Sequence, residues 1–127
     1  MTRQFRSGCP IASTLDMVGD RWSLVILRDL LTGKTRFSQF LDSPERISPS
    51  VLSDRLAFLE SDGLVAKTAY SQRPTRYEFR VTPKGEAMLP ILQAMCRWGH
   101  AHVPGAWEAP TSFMRRRVVA SSRASRR

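Results

Sequence analysis

The sequence predicts an α+β, mostly α fold. Apolar residues recur at helical spacing in four successive segments before residue 63 and again after residue 83. Between these regions, residues 76–81 alternate charged and apolar side chains with a period of two, which is typical of a half-buried β-strand. A turn-rich stretch over residues 71–75 separates this strand from another over residues 65–70. The 127 residues are therefore expected to form one domain, in which helices surround a two-stranded hairpin.

Three helices are predicted before residue 42. The first opens at Cys9-Pro10, and its apolar face consists of Ile11, Leu15 and Val18. The second, over residues 22–31, is apolar around most of its circumference, and such a helix is normally buried. We therefore predict that it is the central helix of the domain. A short third helix is predicted over residues 37–41, and a turn over residues 42–45 follows it.

The fourth predicted helix has two unlike sides. Ser48 is a preferred N-cap residue and Pro49 suits the first helical position. One side carries an apolar stripe that must pack on the core, namely Leu52, Leu56 and Leu59. The other side carries the short side chains of Ser50, Ser53, Asp54 and Ala57. A partner surface can approach such a side closely, so the helix suits insertion into a DNA major groove. An ordinary amphipathic surface helix would show the same pattern.

The predicted hairpin follows this helix directly. A helix, a turn and a poorly covered second helix form the helix-turn-helix arrangement, and a hairpin after it is a wing. The tip region of the wing carries Arg73 and Arg76, long cations that can reach phosphates or a minor groove. A solvated hairpin tip is the other interpretation of these two residues.

The last predicted helix starts at Thr82-Pro83 and is apolar on more than one side. Its apolar arc is wider than packing on one core requires, and it includes Ile91, Met95 and Trp98. We therefore expect these side chains to lie between two copies of the chain. Pro90 falls inside the helix and is expected to kink it, because proline removes a backbone hydrogen bond.

The positive charge is unevenly distributed. The formal net charge is +9, but the tail from Arg115 holds six arginines and no acidic residue, so it accounts for most of that charge. Nucleic-acid binding by the rest of the chain must therefore be inferred from its architecture. Pro104-Gly105 and Pro110 interrupt the helical pattern. The predicted organisation is a DNA-binding and dimerisation domain over residues 1–103, followed by a flexible Arg-rich tail over residues 104–127.

Other functional classes find little support. The two cysteines give no disulfide framework, which indicates a cytoplasmic protein, and no apolar run approaches a membrane span. No nucleophile–base pair, glycine-rich phosphate loop or paired-carboxylate pattern stands out, so we expect neither an enzyme nor a cofactor. Cys96, His100 and His102 lack a fourth ligand for a tetrahedral metal site, and we interpret Cys96 as a packing residue.

Four motifs occur in order along residues 9–102. They are CPIASTLDMVGDRWSLVILRDLLTGKTRFSQF, ISPSVLSDRLAFLESDGLV, RYEFRVTPKGEAMLPIL and RWG. Together they resemble the HxlR-type transcriptional regulators. The resemblance implies a winged-helix homodimer, joined through its terminal helices with Ile11 and Leu15, that binds a pseudo-palindromic operator in double-stranded DNA. By position it assigns Arg76 to the wing and, to the recognition helix, Ser48, Ser50, Ser53 and Asp54.

The chain departs from the family pattern at two places. Members often carry a longer polar or basic residue where this chain has Ser50 or Asp54. The helix that usually follows RWG is cut short here by Pro104-Gly105.

Cys9 matches the N-terminal cysteine that many members of this family carry. It precedes Pro10 at a helix start, where the helix dipole and the upstream Arg3 and Arg6 favour a thiolate. Cys9 is therefore a candidate thiol sensor for an electrophile or another small-molecule effector. A small residue that packs at the helix start is the other interpretation.

These observations predict a cytoplasmic, homodimeric winged helix-turn-helix transcription factor that acts as a repressor. The alternative is a winged-helix module for protein–protein assembly, with the Arg-rich tail as its only nucleic-acid contact.

Overall fold

The structure is a computed structural model that describes residues 4–118. As predicted, the fold is α+β and mostly helical, with one two-stranded antiparallel sheet among the described residues. The elements in chain order are α1 (Pro10–Val18), α2 (Ser23–Leu31), α3 (Phe37–Leu41), α4 (Pro49–Ser61), β1 (Val65–Gln72), β2 (Thr75–Val81), α5 (Pro83–Glu86), α6 (Leu89–His102) and α7 (Thr111–Arg115).

The core is built around α2, which confirms its prediction as the central helix. Ile26 and Leu27 of this helix are fully buried, and α2 contacts α4, α6 and β2. Phe40 of α3 meets Phe79 of β2 edge to face, with their ring centroids 6.3 Å apart. The core thus lies where the helices and the hairpin converge, and α4 rests on it through the leucine stripe.

The hairpin is longer than its sequence pattern predicts. Val65 pairs with Val81 at its base and Gln72 pairs with Thr75 at its tip, so the turn is reduced to Arg73-Pro74. A further segment joins the hairpin, and no sequence pattern predicts this contact. The backbone N–H of Phe79 donates to the carbonyl oxygen of Thr35 at 2.7 Å, which ties the chain before α3 to β2.

The predicted single helix with a kink at Pro90 is wrong, because the structure has two helices there. The short α5 is capped by Thr82, whose hydroxyl accepts from the backbone N–H of Gly85 at 3.1 Å. A new helix, α6, begins at Leu89, so Pro90 falls in its first turn. Backbone N–H groups in a first turn have no partner within the helix, and proline therefore breaks no hydrogen bond there.

The chain after residue 103 also differs from the prediction of a flexible tail. Phe113 of α7 is only 8% exposed and belongs to the hydrophobic core. The buried side-chain amide of Gln93 donates to the carbonyl oxygens of Phe113 and Arg116 at 2.9 and 2.8 Å. One buried aromatic ring and these hydrogen bonds hold residues 111–116 against α6. The end of the predicted tail, residues 119–127, lies outside the described residues.

Candidate nucleic-acid interface

Helix α4 keeps the two unlike sides that its sequence predicts. Ser48 caps it, since its hydroxyl accepts from the backbone N–H of Val51 at 3.3 Å. The three leucines of the stripe are buried. The fold brings the predicted contact residues together on one exposed surface, formed by Ser48, Ser50, Ser53, Asp54 and Ala57. We call this surface the α4 face.

A network of charged and polar side chains fixes the turn that precedes α4. Arg28 of α2 donates to both carboxylate oxygens of Glu45 and also lies 2.9 Å from the buried carboxylate of Asp29. The Ser43 hydroxyl donates to Asp29 and accepts from the Lys34 ammonium at 2.8 Å. The turn between α3 and α4 is therefore tied to the central helix by buried and half-buried bonds.

The Arg28–Glu45 contact also shifts the titration of both groups. The hydrogen bond from Arg28 holds the pKa of the Glu45 carboxyl below its ordinary value. The same bond raises the pKa of the Arg28 guanidinium. Both side chains are therefore charged at neutral pH, and their attraction holds the turn in place.

The guanidinium of Arg55 is engaged within the protein. It lies 3.4 Å from Asp20 and 3.4 Å from Asp54, and it stacks over the Phe58 ring at 4.3 Å from the centroid. From the sequence alone, an ion pair with Asp62 or Glu60 is at least as well supported for Arg55 as a phosphate contact. The structure pairs Arg55 with Asp20, a carboxylate just before the start of α2.

Asp20 is held in its charged form. Burial raises the pKa of its carboxyl, but hydrogen bonds from Ser23 and from the backbone N–H of Trp22, with the charge of Arg55, outweigh that effect. The pKa of Asp20 therefore lies below its ordinary value. Arg55 is thus bound to a permanently charged partner at neutral pH.

The wing presents two unpaired cations. Arg73 and Arg76 are exposed at its tip, and neither forms a hydrogen bond or an ion pair with any residue in the described range 4–118. Farther down the hairpin, Arg80 lies 3.2 Å from Glu78. Lys67 lies over the Tyr77 ring, 4.5 Å from its centroid. The cations at the tip are therefore available to a partner, whereas those farther down are already in contact with the wing.

Helices α1 and α6 expose apolar side chains. On α1, Ile11 is 73% exposed and Leu15 is also exposed. On α6, Trp98 is 64% exposed, and Ile91 and Met95 are exposed beside it. We call these five residues, which lie on two separate helices, the apolar patch. Its residues are those that the sequence assigned to dimerisation, and their role there stays a prediction.

Comparison with known proteins identifies the family. The family described as HxlR-like helix-turn-helix matches residues 17–106. The chain belongs to this family. It is 34% identical over 95 residues to the HTH-type transcriptional regulator YdeP of Bacillus subtilis, which covers 75% of this chain and 74% of YdeP. HxlR-like proteins such as this one are transcriptional regulators with a DNA-binding helix-turn-helix, and here the hairpin adds the wing.

Two solved structures show the same fold. The redox regulator HypR in its oxidised form is 33% identical and superposes with a TM-score of 0.68, covering 74% of this chain and 97% of HypR. The reduced form of the transcriptional regulator YodB from B. subtilis is 27% identical, with a TM-score of 0.64 and coverage of 77% of this chain and 97% of YodB.

In this HxlR-like chain, Cys9 occupies the N-cap position of α1 and is exposed. Its backbone N–H donates to the Ser7 hydroxyl at 3.2 Å. The positive charge of Arg6, which was expected to act on the Cys9 thiol, is instead engaged in an ion pair with Asp16. Arg3, the other expected cation, lies outside the described residues. Cys96 is half-buried on α6 and packs against the core, as predicted.

Sequence reasoning missed one cation beside the α4 face. Arg46 is exposed in the turn two residues before the cap Ser48, and its φ of 60° is left-handed. A residue other than glycine rarely adopts this conformation, which costs free energy. Its position just before a helix N-terminus was the available signal, because anions bind at such ends.

Within residues 4–118, no group of three or more His, Cys, Asp and Glu side chains is arranged to hold a metal ion. No helix among the same residues has the length and apolar character needed to cross a membrane.

Proposed function

We propose that this HxlR-like regulator is a repressor that binds a pseudo-palindromic operator as a homodimer, with α4 in the major groove of each half-site. The observation that carries the proposal is the α4 face. Its short polar side chains are exposed directly opposite three buried leucines. A helix face made of short side chains can approach base edges closely, and the major groove admits an α-helix.

Phosphate contacts on both sides of α4 would set its position. Arg73 and Arg76 extend from the wing tip without an intramolecular partner among the described residues, and Arg46 lies before the N-terminus of α4. Contacts to phosphates fix register and orientation without reading the base sequence. We assign this positioning role to the three arginines.

Dimerisation through the apolar patch would bring two α4 helices to one duplex. The patch combines residues of α1 and α6 that are exposed in the single chain, and burying them removes apolar surface from water. A two-fold dimer matches a pseudo-palindrome because each subunit then reads one half-site, about 34–36 Å from the other.

A gel shift over a range of salt concentrations tests the proposal. The proteins are the full chain, a chain truncated after Val118, and Ser53→Glu. Truncation before Phe113 would disturb the core, whereas truncation after Val118 keeps α7 and the carbonyl groups bound by Gln93. We expect sequence-specific binding that survives the truncation and falls sharply in Ser53→Glu, because a carboxylate then faces bases and phosphates.

The competing function is a winged-helix module for protein assembly. It predicts binding without sequence preference that disappears with residues 119–127, and no effect of Ser53→Glu. Equal behaviour of Ser53→Glu and the wild type in a folded protein would remove α4 from the interface.

We also propose that Cys9 is the point at which an oxidant or electrophile acts on this regulator. The thiol is exposed at the start of α1, the helix that carries Ile11 and Leu15 of the apolar patch. A modification there would alter the contact between subunits and thereby the spacing of the two α4 helices. That HypR is a redox regulator, seen in oxidised form, supports this proposal.

A further inference from the structure

We propose that Asp54 selects a cytosine in each half-site by accepting a hydrogen bond from the cytosine N4 amino group. This inference rests on the proposed function, since it requires α4 to lie in the major groove. The base that is read and the atom that is contacted follow neither from the fold nor from membership of the family.

The first observation is that α4 offers no free cation to the groove. Arg55 is the one basic residue between Pro49 and Ser61. Its guanidinium is only 18% exposed and is held between Asp20 and Asp54 and over the Phe58 ring. The commonest specific contact in the major groove is an arginine or lysine on guanine O6 and N7. Helix α4 is therefore poorly equipped to make that contact.

The second observation is the placement of Asp54. Its side chain is 76% exposed at the edge of the α4 face, one turn after Ser50 and beside the exposed Val51 and Phe58. Arg55 approaches Oδ2 of Asp54 at 3.4 Å, while Oδ1 accepts no hydrogen bond from any residue between 4 and 118. One carboxylate oxygen is thus oriented by the protein and the other is free to accept from a partner.

The chemistry of the base edges then points to cytosine. An ionised carboxylate is only an acceptor. In the major groove guanine presents two acceptors, thymine presents an acceptor and a methyl group, and adenine presents an acceptor beside its donor. Within a base pair, cytosine N4 has an acceptor on one side only, the O6 of the paired guanine, whereas adenine N6 lies between two acceptors, so a carboxylate is best satisfied at cytosine. The short side chains of Ser50, Ser53 and Ala57 leave room for the helix to approach on one side of Asp54, and the exposed Val51 and Phe58 flank it on the other.

The negative charge of Asp54 is repelled by DNA phosphates, and nearby cations offset this repulsion. Arg55 lies against it, and Arg46, Arg73 and Arg76 would contact phosphates on either side of the groove. A carboxylate at this place therefore discriminates between bases while the flanking cations supply the general attraction to DNA.

Selection of bound sequences from a random double-stranded DNA library tests the inference. The proteins are the full wild-type chain, Asp54→Ala, Asp54→Asn and Glu60→Ala. Glu60→Ala is the matched control, because it removes the same charge from the C-terminal end of the same helix. Thermal unfolding of each variant verifies that these exposed substitutions leave the fold intact.

We expect the wild type to prefer one cytosine in each half-site by about 5- to 150-fold over the other bases, the range for one good base contact. Asp54→Ala should lose this preference at that position and keep the rest of the motif. Asp54→Asn should shift it toward adenine, since asparagine pairs with adenine N6 and N7. Glu60→Ala should bind all DNA somewhat more tightly and keep the cytosine.

Three results would overturn the inference in different ways. If Asp54→Ala selects the same cytosine as strongly as the wild type, Asp54 does not read it and the proposed function stands alone. If Glu60→Ala also loses the cytosine, the charge of the helix sets the preference instead of a contact. If the wild type enriches no motif at all, the proposed function fails and this inference fails with it.

Discussion

Arg28 donates hydrogen bonds of 2.7 and 2.8 Å to the two carboxylate oxygens of Glu45, seventeen positions farther along the chain. Arg28 belongs to the buried central helix α2, and Glu45 belongs to the turn before α4. Two parallel bonds between a guanidinium and a carboxylate define direction as well as distance. The pair therefore sets how α4 projects from the core.

Glu45→Gln should make the free energy of unfolding vary less with pH in the acid range. The hydrogen bond from Arg28 lowers the pKa of Glu45 in the folded state below its ordinary value of 4.5. The stabilisation is therefore fully present above pH 4.5 and is lost as the pH falls through the folded-state pKa. The substitution should cost about 1 kcal/mol of unfolding free energy at neutral pH, because the pair is partly exposed.

Urea unfolding of wild type and Glu45→Gln across the acid range measures this effect. The difference between the two proteins should be largest near neutral pH and should shrink below pH 4.5. Glu60→Gln, which changes an exposed carboxylate of α4, should follow the wild type. A Glu45→Gln deficit that stays constant over the whole pH range would contradict the assignment.

Arg46→Gly should stabilise the fold and weaken DNA binding. Glycine adopts the left-handed φ of 60° without the strain that arginine bears. The free energy of unfolding should therefore rise by up to about 1 kcal/mol, and the melting temperature should rise with it. The lost cation should reduce the salt slope of DNA binding by about one unit. Arg46→Asn tolerates the same backbone, also lacks the charge, and should bind DNA as weakly. Unchanged binding by both variants would exclude Arg46 from the interface.

The faces of the helices were predictable because the spacing of apolar residues decides which side is buried. Leu52, Leu56 and Leu59 were sufficient to orient α4, and Ser48-Pro49 was sufficient to locate its start. The hairpin was predictable for the same reason, with a period of two instead of 3.6.

Contacts between distant segments were not predictable. Pattern reasoning compares residues within one stretch of sequence and therefore suggests the nearby Glu60 and Asp62 as partners of Arg55. Its observed partner Asp20 is brought there by the packing of α2 against α4. The packing site of Phe113 could not be located from the sequence, because a single aromatic residue among prolines and arginines has no periodicity from which burial can be inferred.

The two cations at the wing tip should contribute to affinity without changing base preference. Arg73→Ala and Arg76→Ala should each weaken binding to most sequences alike and lower the salt slope by about one unit, because they remove phosphate contacts. Arg80→Ala is the matched control, since Arg80 already pairs with Glu78 at 3.2 Å and should lower the slope less. Titrations at several salt concentrations measure all three. A change of base preference in either tip variant would indicate direct readout by the wing.

Trp98→Ala should shift the protein toward monomer. The side chain is 64% exposed on α6 and belongs to the apolar patch, so its removal takes apolar area from the expected subunit contact. Sedimentation should show the shift, and operator affinity should fall with it because two half-sites must be held at once. Tyr77→Ala, which removes an exposed aromatic ring from the wing, should leave the oligomeric state unchanged. A wild-type protein that is monomeric at all concentrations would refute the dimer.

Treatment with an oxidant or electrophile should lower the operator affinity of the wild type and of Cys96→Ser, but not that of Cys9→Ser. Cys9 is exposed at the first position before α1, whereas Cys96 is half-buried against the core, so a reagent reaches Cys9 first. An adduct adds bulk at the end of a helix whose Ile11 and Leu15 are expected to meet the partner subunit. Gel shifts before and after treatment, with recovery on addition of a reducing thiol after oxidation, measure the effect. Equal insensitivity of wild type and Cys9→Ser would leave Cys9 as a packing residue, and loss of the response in Cys96→Ser alone would move the sensor to α6.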